Sequence, residues 1–270
     1  MNSSGTRPDF VWPNAVWAWE FLRRNDAYRQ DYVDALSYLP KIERLESGSR
    51  LITGERRYRA ARKWGLLFFA NPDLNALRAH VFWRPSLFPA TIPVSLRDSE
   101  REQERARYNG KSNSDTVILS RLCCCRILFE SVNQSRHIVL HARRLWLQLY
   151  CDSAHPIDDN AVINFRFDGA THANKRMNSL KQLFDLHRSM GRKISDIGYI
   201  RNANTFREAL IALDIHGMGG SYQDIAKSLY GRDRVEKDWE NGCSSLKQKA
   251  RRALMRGRSY RDGKYLELLS

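Results

Sequence analysis

The chain has no apolar run approaching eighteen residues, so no helix of it is expected to cross a membrane. Residues 1–13 lack both a cationic start and an apolar core, which argues against an export signal and for a cytoplasmic protein. Cysteine is scarce, five in 270 residues, and odd in number. No C-x-x-C pair and no Cys/His zinc spacing occurs, which excludes a disulfide scaffold or a zinc fold. The adjacent Cys123-Cys124-Cys125, inside the apolar run Val117 to Phe129, are expected to be buried thiols of a reducing compartment.

Enzyme signatures are missing as well. Gly217, Gly219 and Gly220 follow a helical pattern rather than a strand and lack the Lys-Ser/Thr pair of a phosphate-cradling loop. There is no nucleophile elbow, no His-Glu-x-x-His and no Arg/His/Arg/Tyr recombinase set. His137 and His141 stand four apart in a strand-like stretch, about 13 Å from one another and too far to share a metal. His187 has no second ligand at helical spacing. No catalytic residue, cofactor or metal is expected.

Acidic residues are in deficit, 30 against 45 lysines and arginines, a net charge of +15. An isoelectric point near 9.9 makes nucleic acid or an anionic membrane surface the natural partner, and charge alone does not choose between them. What the chain has in plenty is apolar and aromatic material: 42% and 11%, with seven tryptophans, enough for one substantial core or two modest ones.

The cations concentrate near the C-terminus. Wound at 100° per residue, the run from Ser244 to Arg258 places Leu246, Ala250, Ala253 and Leu254 in one stripe. Lys247, Lys249, Arg251, Arg252, Arg256 and Arg258 occupy the rest of the circumference. Two shorter helices precede it. Thr205 with Glu208 reads as a capping box before Phe206, Ala209, Leu210 and Leu213. Ser221 with Asp224 reads as another before Tyr222, Ile225, Ala226 and Leu229, and the glycines 217, 219 and 220 supply the turn between. Two helices joined by a short glycine turn, then a cationic third helix opening on small polar side chains, is the layout of a helix-turn-helix reader. The insert 232–242 makes it a variant, with Val235 and Trp239 as the apolar side of an extra helical turn. Ser244, Ser245, Lys247, Gln248, Lys249, Arg251, Arg252, Arg256 and Arg258 are the candidate DNA-binding residues. Gln248 suits adenine and Arg252 guanine, while the later arginines suit phosphates.

Upstream, Trp17, Phe21, Tyr28, Tyr32, Ala35, Leu36 and Leu39 predict one long amphipathic helix over 14–39, ended by Pro40. Its aromatic stripe reads as core, with docking of a partner chain or a second copy as the alternative. Loops are expected at 46–50 and 53–55. The basic stretch from Arg56 to Trp64, with Tyr58 interleaved, reads equally as a second phosphate anchor or as a solvated helix face. Nonspecific binding of single strands would follow if Tyr58 and Trp64 were exposed for stacking. Strands are predicted at 80–83, 91–94, 136–140, 145–150 and 162–167, the third and fourth joined as a hairpin through residues 141–144. The polar interval 98–115 reads as a loop or linker, and a helix is predicted over 174–190.

Particular residues carry a family resemblance. Phe206-Arg207-Glu208-Ala209-Leu210 with Leu213-Asp214, then Gly220-Ser221-Tyr222-Gln223-Asp224-Ile225-Ala226, Arg234-Val235 and Asp238-Trp239, Arg251-Arg252 and Gly263-Lys264-Tyr265 carry its C-terminal half. They resemble the C-terminal domain of regulators from proteobacterial integrative and conjugative elements. Ala18-Trp19-Glu20-Phe21-Leu22-Arg23-Arg24-Asn25 with Tyr28-Arg29 and Tyr32 is similar to the N-terminal module fused to that domain in activators of element excision. The resemblance implies a helix-turn-helix transcriptional activator of excision and transfer genes. The alternative is an antiactivator-like protein that uses the same fold to sequester a transcription factor.

The expected architecture is α+β: an N-terminal helical module over 1–78, a small central β-sheet over 79–170, and a bridging helix with the variant helix-turn-helix over 171–270. Double-stranded DNA is the expected partner, with RNA polymerase or a small regulatory protein as a protein contact, a homodimer as the assembly and no membrane association.

Overall fold

A computed structural model describes residues 12–97, 117–133, 135–142, 145–151, 160–166, 171–189, 202–240 and 245–270. Among them are seven α-helices and a mixed sheet of seven strands, an α+β architecture. They form two compact units that do not follow chain order. Residues 12–25 group with 202–268 in a helical unit, and residues 26–189 form a sheet unit.

The expected module 1–78 therefore contributes to both units, and the single long helix over 14–39 is not formed. Helix α1 (Asn14–Leu22) ends at Arg23, and α2 (Asp26–Asp34) starts afresh, followed by a 3-10 turn at Leu36–Tyr38. The break lies at Arg23-Arg24-Asn25, where Asn25 sends its side-chain amide to the carbonyl of Arg261 at 3.0 Å. One unbroken aromatic periodicity serves two cores: Trp17 and Phe21 are buried in the helical unit, Tyr28 in the sheet unit.

The sheet has the order β1-β2-β4-β5-β6-β3-β7. Its edge hairpin, β1 (Lys41–Arg44) with β2 (Arg50–Thr53), pairs Ile42 with Ile52 in antiparallel register. The stretch expected only as the loop 46–50 holds its turn. The strand β2 runs parallel to β4 (Cys125–Glu130), which pairs antiparallel with β5 (Arg136–Ala142) and through it with β6 (Leu145–Cys151). The predicted hairpin is thus present as a strand pair, Ala142 opposite Leu145, with residues 143 and 144 outside the described set. Parallel to β6 lies β3 (Ile92–Arg97), and β7 (Val162–Phe165) closes the sheet antiparallel to it.

The sheet is larger than expected because β1, β2 and β4 give weak sequence signals. All of β1 is exposed, β2 is short, and β4 opens on the last of three cysteines whose small apolar side chains fit several conformations. The predicted strand 80–83 does not form. His80 takes a left-handed φ of 51°, and Trp83 makes only an isolated bridge with Leu66. Its backbone N–H donates to Gln148 Oε1 at 3.0 Å and its carbonyl accepts from Gln148 Nε2 at 2.6 Å, so a side chain takes the place of a neighbouring strand.

Side chains alternate across the strands. One face carries Leu128, Ile138, Leu147 and Leu149 in a core that also holds Leu180, Leu183 and Leu186 of α3 (Ala173–Ser189). That helix, expected as a bridge, belongs to the sheet unit because these leucines recur at helical spacing. The other face carries Phe129, His137 and Tyr150 beneath Phe68 and Phe82, with ring centroids 4.7–6.0 Å apart. Tyr58 is buried and Trp64 donates its indole N–H to Asp31 at 2.7 Å, so this pair is not the exposed stacking platform that single-strand binding needs. The cysteine triplet departs from expectation too: Cys124 and Cys125 are half-buried and Cys123 is exposed, whereas Cys151 is buried. No helix among the described residues is long and apolar enough to cross a membrane. The interval 98–115 lies outside them.

Candidate nucleic-acid interface

The helical unit contains α4 (Ala203–Gly217), α5 (Tyr222–Tyr230), α6 (Arg232–Glu240) and α7 (Ser245–Arg261). In α4 the residues Phe206, Ala209, Leu210 and Leu213 are buried as their spacing implies. The start is earlier than Thr205. Asn202 occupies the N-cap, and its carbonyl accepts from the Phe206 N–H at 2.9 Å, so Thr205 lies inside the first turn. The second capping box does form: Ser221 Oγ accepts from the Asp224 N–H at 3.2 Å, and the Asp224 carboxylate accepts from the Ser221 N–H at 2.8 Å. The Ser221 hydroxyl can also donate to the Asp224 carboxylate at 2.7 Å, and that bond, with the one from the Ser221 N–H, holds the Asp224 carboxyl below its ordinary pKa. Between α4 and α5, Gly219 takes a φ of 86° and Gly220 lies where a Cβ would stand 2.9 Å from the Ile215 carbonyl. The turn thus needs both glycines.

The insert forms α6, with Val235 fully buried and Trp239 half-buried. Its Asp238 has a role that spacing did not disclose. The Asp238 carboxylate accepts from the Leu246 N–H at 3.2 Å and from Ser245 Oγ at 3.3 Å. An anion is thereby held on the otherwise unsatisfied first turn of α7, where the helix dipole favours it.

Leu246, Ala250, Ala253 and Leu254 of α7 are all buried, and Gly257 with them. Ser245, Lys247, Gln248, Lys249, Arg251, Arg252 and Arg258 are exposed, and Arg256 is half-buried. Ser244 lies outside the described residues. Lys249 sits 5.9 Å over the Tyr230 ring, and Arg258 bonds His216 Nε2. Among the described residues no carboxylate pairs with Lys247, Arg251 or Arg252. A surface with this many uncompensated cations on one rigid helix presents a continuous positive potential. Its natural counterpart is a row of phosphates at fixed spacing.

Two contacts seat this surface. Gly257 permits a close approach of α7 to α4, since a Cβ there would lie 2.7 Å from the Ala209 carbonyl and 2.7 Å from Leu213 Cγ. A glycine inside a helix of good formers was the available signal, because it costs about 1 kcal/mol unless packing requires it. Gly257→Ala is therefore expected to lower the melting temperature. The backbone oxygen cannot rotate aside, and overpacking of about 1–3 kcal/mol outweighs the gain in helix propensity. Gly217→Ala, with nothing within 4 Å of its Cβ, should be neutral or stabilising in the same melt. An equal or higher melting temperature for Gly257→Ala would contradict the close approach.

The other contact comes from the far end of the chain. Trp17 and Phe21 of α1 pack on Phe206 at 5.6 and 6.1 Å, and Phe21 stacks on Tyr260 of α7 at 4.9 Å. Arg24 forks onto both oxygens of Asp214 at 2.6 and 2.9 Å while also bonding the buried Glu20 at 3.0 Å. With Asn25 on the carbonyl of Arg261, residues of the stretch 18–25 that carries the N-terminal resemblance join Trp17 in clamping α1 to α4 and α7.

Residues 167–270 match a family model described as "T6SS, Transcription factor, DNA binding domain", and residues 12–69 match one described as "Proteobacterial transcriptional regulator-like domain". No curated protein matches the chain. The first match takes in the whole cationic helix and the second takes in α1. Together they support a DNA-binding transcription regulator, and neither description names a mobile element.

Proposed function

We propose that the chain is a sequence-specific DNA-binding transcriptional activator whose α7 is the recognition helix of a variant helix-turn-helix. The observation that carries this reading is the exposed cationic face of α7, on which Lys247, Arg251 and Arg252 have no carboxylate partner among the described residues, within the segment that matches a DNA-binding domain model. Ser245, Gln248, Lys249 and Arg252 lie in its first turns, where a recognition helix touches base edges. Arg251, beside Arg252 on the same turn, and Arg256 and Arg258 on later turns position the backbone. Ser244 is included as the residue immediately before the helix. Control of excision and transfer genes of a mobile element, in the cytoplasm and with RNA polymerase as a contact, rests on the resemblance of residues 18–32 and 206–269. A homodimer follows from the two-fold logic of such readers.

The test is selection of bound duplex fragments from the host genome by the full chain at physiological salt, repeated with Gln248→Ala/Arg252→Ala. Each base contact is worth about 1–3 kcal/mol, so enrichment of a few promoter-proximal sites should vanish with the double variant. Retention of all fragments alike, unchanged by the variant, would sink the recognition-helix assignment. It would favour a protein that sequesters another regulator.

A further inference from the structure

The sheet unit contains a cavity that the DNA-binding reading does not use. Its volume is about 400 Å³, within the size range of small-molecule sites. It opens beside the segment 56–67 and reaches down to the aromatic face of β4, β5 and β6.

Its chemistry is one-sided. Arg56, Arg57, Arg62 and Arg84 line it, and no carboxylate stands among its described lining residues. Arg57 is held in place by Asn133, whose side-chain oxygen accepts from Nε at 3.2 Å and from the terminal nitrogen at 3.0 Å. Arg56 lies 5.3 Å over the ring of Tyr38. Among the described residues, Arg62 and Arg84 have no acidic partner. Guanidinia gathered in a concave, partly apolar site focus positive potential and fit phosphate or carboxylate oxygens two at a time.

The inner wall adds a second observation. His137 lines the cavity, is only 3% exposed, and its Nδ1 has no hydrogen-bond partner. The ring lies between Phe129 at 6.0 Å and Tyr150 at 5.1 Å. Burial pushes its pKa down to about 3, so the imidazole is neutral near pH 7. A buried polar atom left unsatisfied costs about 1–3 kcal/mol and calls for an explanation. A molecule that enters the cavity and brings its own donor or acceptor provides one. Phe129 and the buried Tyr58 offer apolar surface for a flat ring beside the charge.

We propose that this cavity is an effector site for a small phosphate-bearing aromatic molecule of about mononucleotide size. The arginines take the phosphate, the aromatic wall takes the ring, and His137 Nδ1 takes a polar ring substituent. A duplex backbone is a poorer occupant, because its phosphates stay at the rim and leave the inner wall unused.

Calorimetric titration of the full chain with adenosine monophosphate and with para-nitrophenyl phosphate tests this. Inorganic phosphate and para-nitrophenol supply each half alone. At least one aromatic phosphate is expected to bind with a Kd of about 1 mM or tighter, and each half at least about tenfold more weakly. Arg62→Gln/Arg84→Gln should weaken binding about tenfold or more, whereas Arg59→Gln, an exposed arginine outside the lining, should leave it within about twofold. Arg62→Gln alone serves if the double variant fails to fold, and a shift of the His137 ring resonances on titration locates the ligand independently. No binding of either aromatic phosphate would overturn the proposal. So would binding that the arginine variants leave unchanged, or a loss confined to duplex DNA binding.

Discussion

Phe21→Ala is expected to destabilise the helical unit by about 3–5 kcal/mol, the range for deleting a buried aromatic ring. Phe21 has no exposed surface, and its ring lies 6.1 Å edge-on from Phe206 and 4.9 Å above Tyr260. Removing it opens a void where α1, α4 and α7 meet and forfeits two ring pairs, each worth about 0.5–1.5 kcal/mol beyond area. Against a typical domain stability of about 5–15 kcal/mol this is a large fraction. Urea unfolding of the full chain should show an earlier loss of helical circular dichroism. Leu36→Ala, at a residue 53% exposed, should shift the midpoint little. An unchanged midpoint for Phe21→Ala would mean that α1 is not part of this core. The variant should also bind DNA less well, because α1 backs the helix proposed to read it.

The largest expected effect on binding is that of salt. If six cations of α7 and its flanks neutralise phosphates, log K falls against log salt with a slope of about −5, and affinity drops about 10³-fold between 50 and 200 mM. Arg251→Gln should reduce the slope by about one and weaken all sequences alike, whereas Arg252→Ala should relax choice at one base pair. A fluorescence-anisotropy titration of a selected duplex at four salt concentrations separates these outcomes. A slope near zero would remove α7 from the phosphate backbone and leave protein sequestration as the better account of the cationic face.

Some of this architecture was legible residue by residue. The stripe Leu246, Ala250, Ala253 and Leu254 is buried as its periodicity requires, and Ser221 with Asp224 caps α5. Local patterns of this kind succeed because a helix has to hide one face and satisfy its first amides wherever it stands. The failures were positional. Thr205 and Glu208 have capping-box spacing, yet α4 starts at Ala203, which is buried and extends the helix past the pattern. The run 80–83 has strand-like composition, yet Gln148 takes its backbone bonds. Asp238 and Arg24 gave little sign of their roles, since each depends on a partner far along the chain or in another helix.

The sequence by itself determined the α+β class, the helices of the C-terminal segment, the cationic face of α7 and the central strands β5 and β6. Each of these follows from composition, charge and periodicities of two or 3.6 residues, which are local properties. Only the tertiary structure decided that α1 joins the C-terminal helices while α2 joins the sheet, and that α3 covers the sheet. It alone gathered Arg56, Arg57, Arg62, Arg84 and His137 around one cavity. An apolar stripe states that a face must be buried but not against what, and a cation's neighbours are set by strand order and turn geometry rather than by its place in the chain.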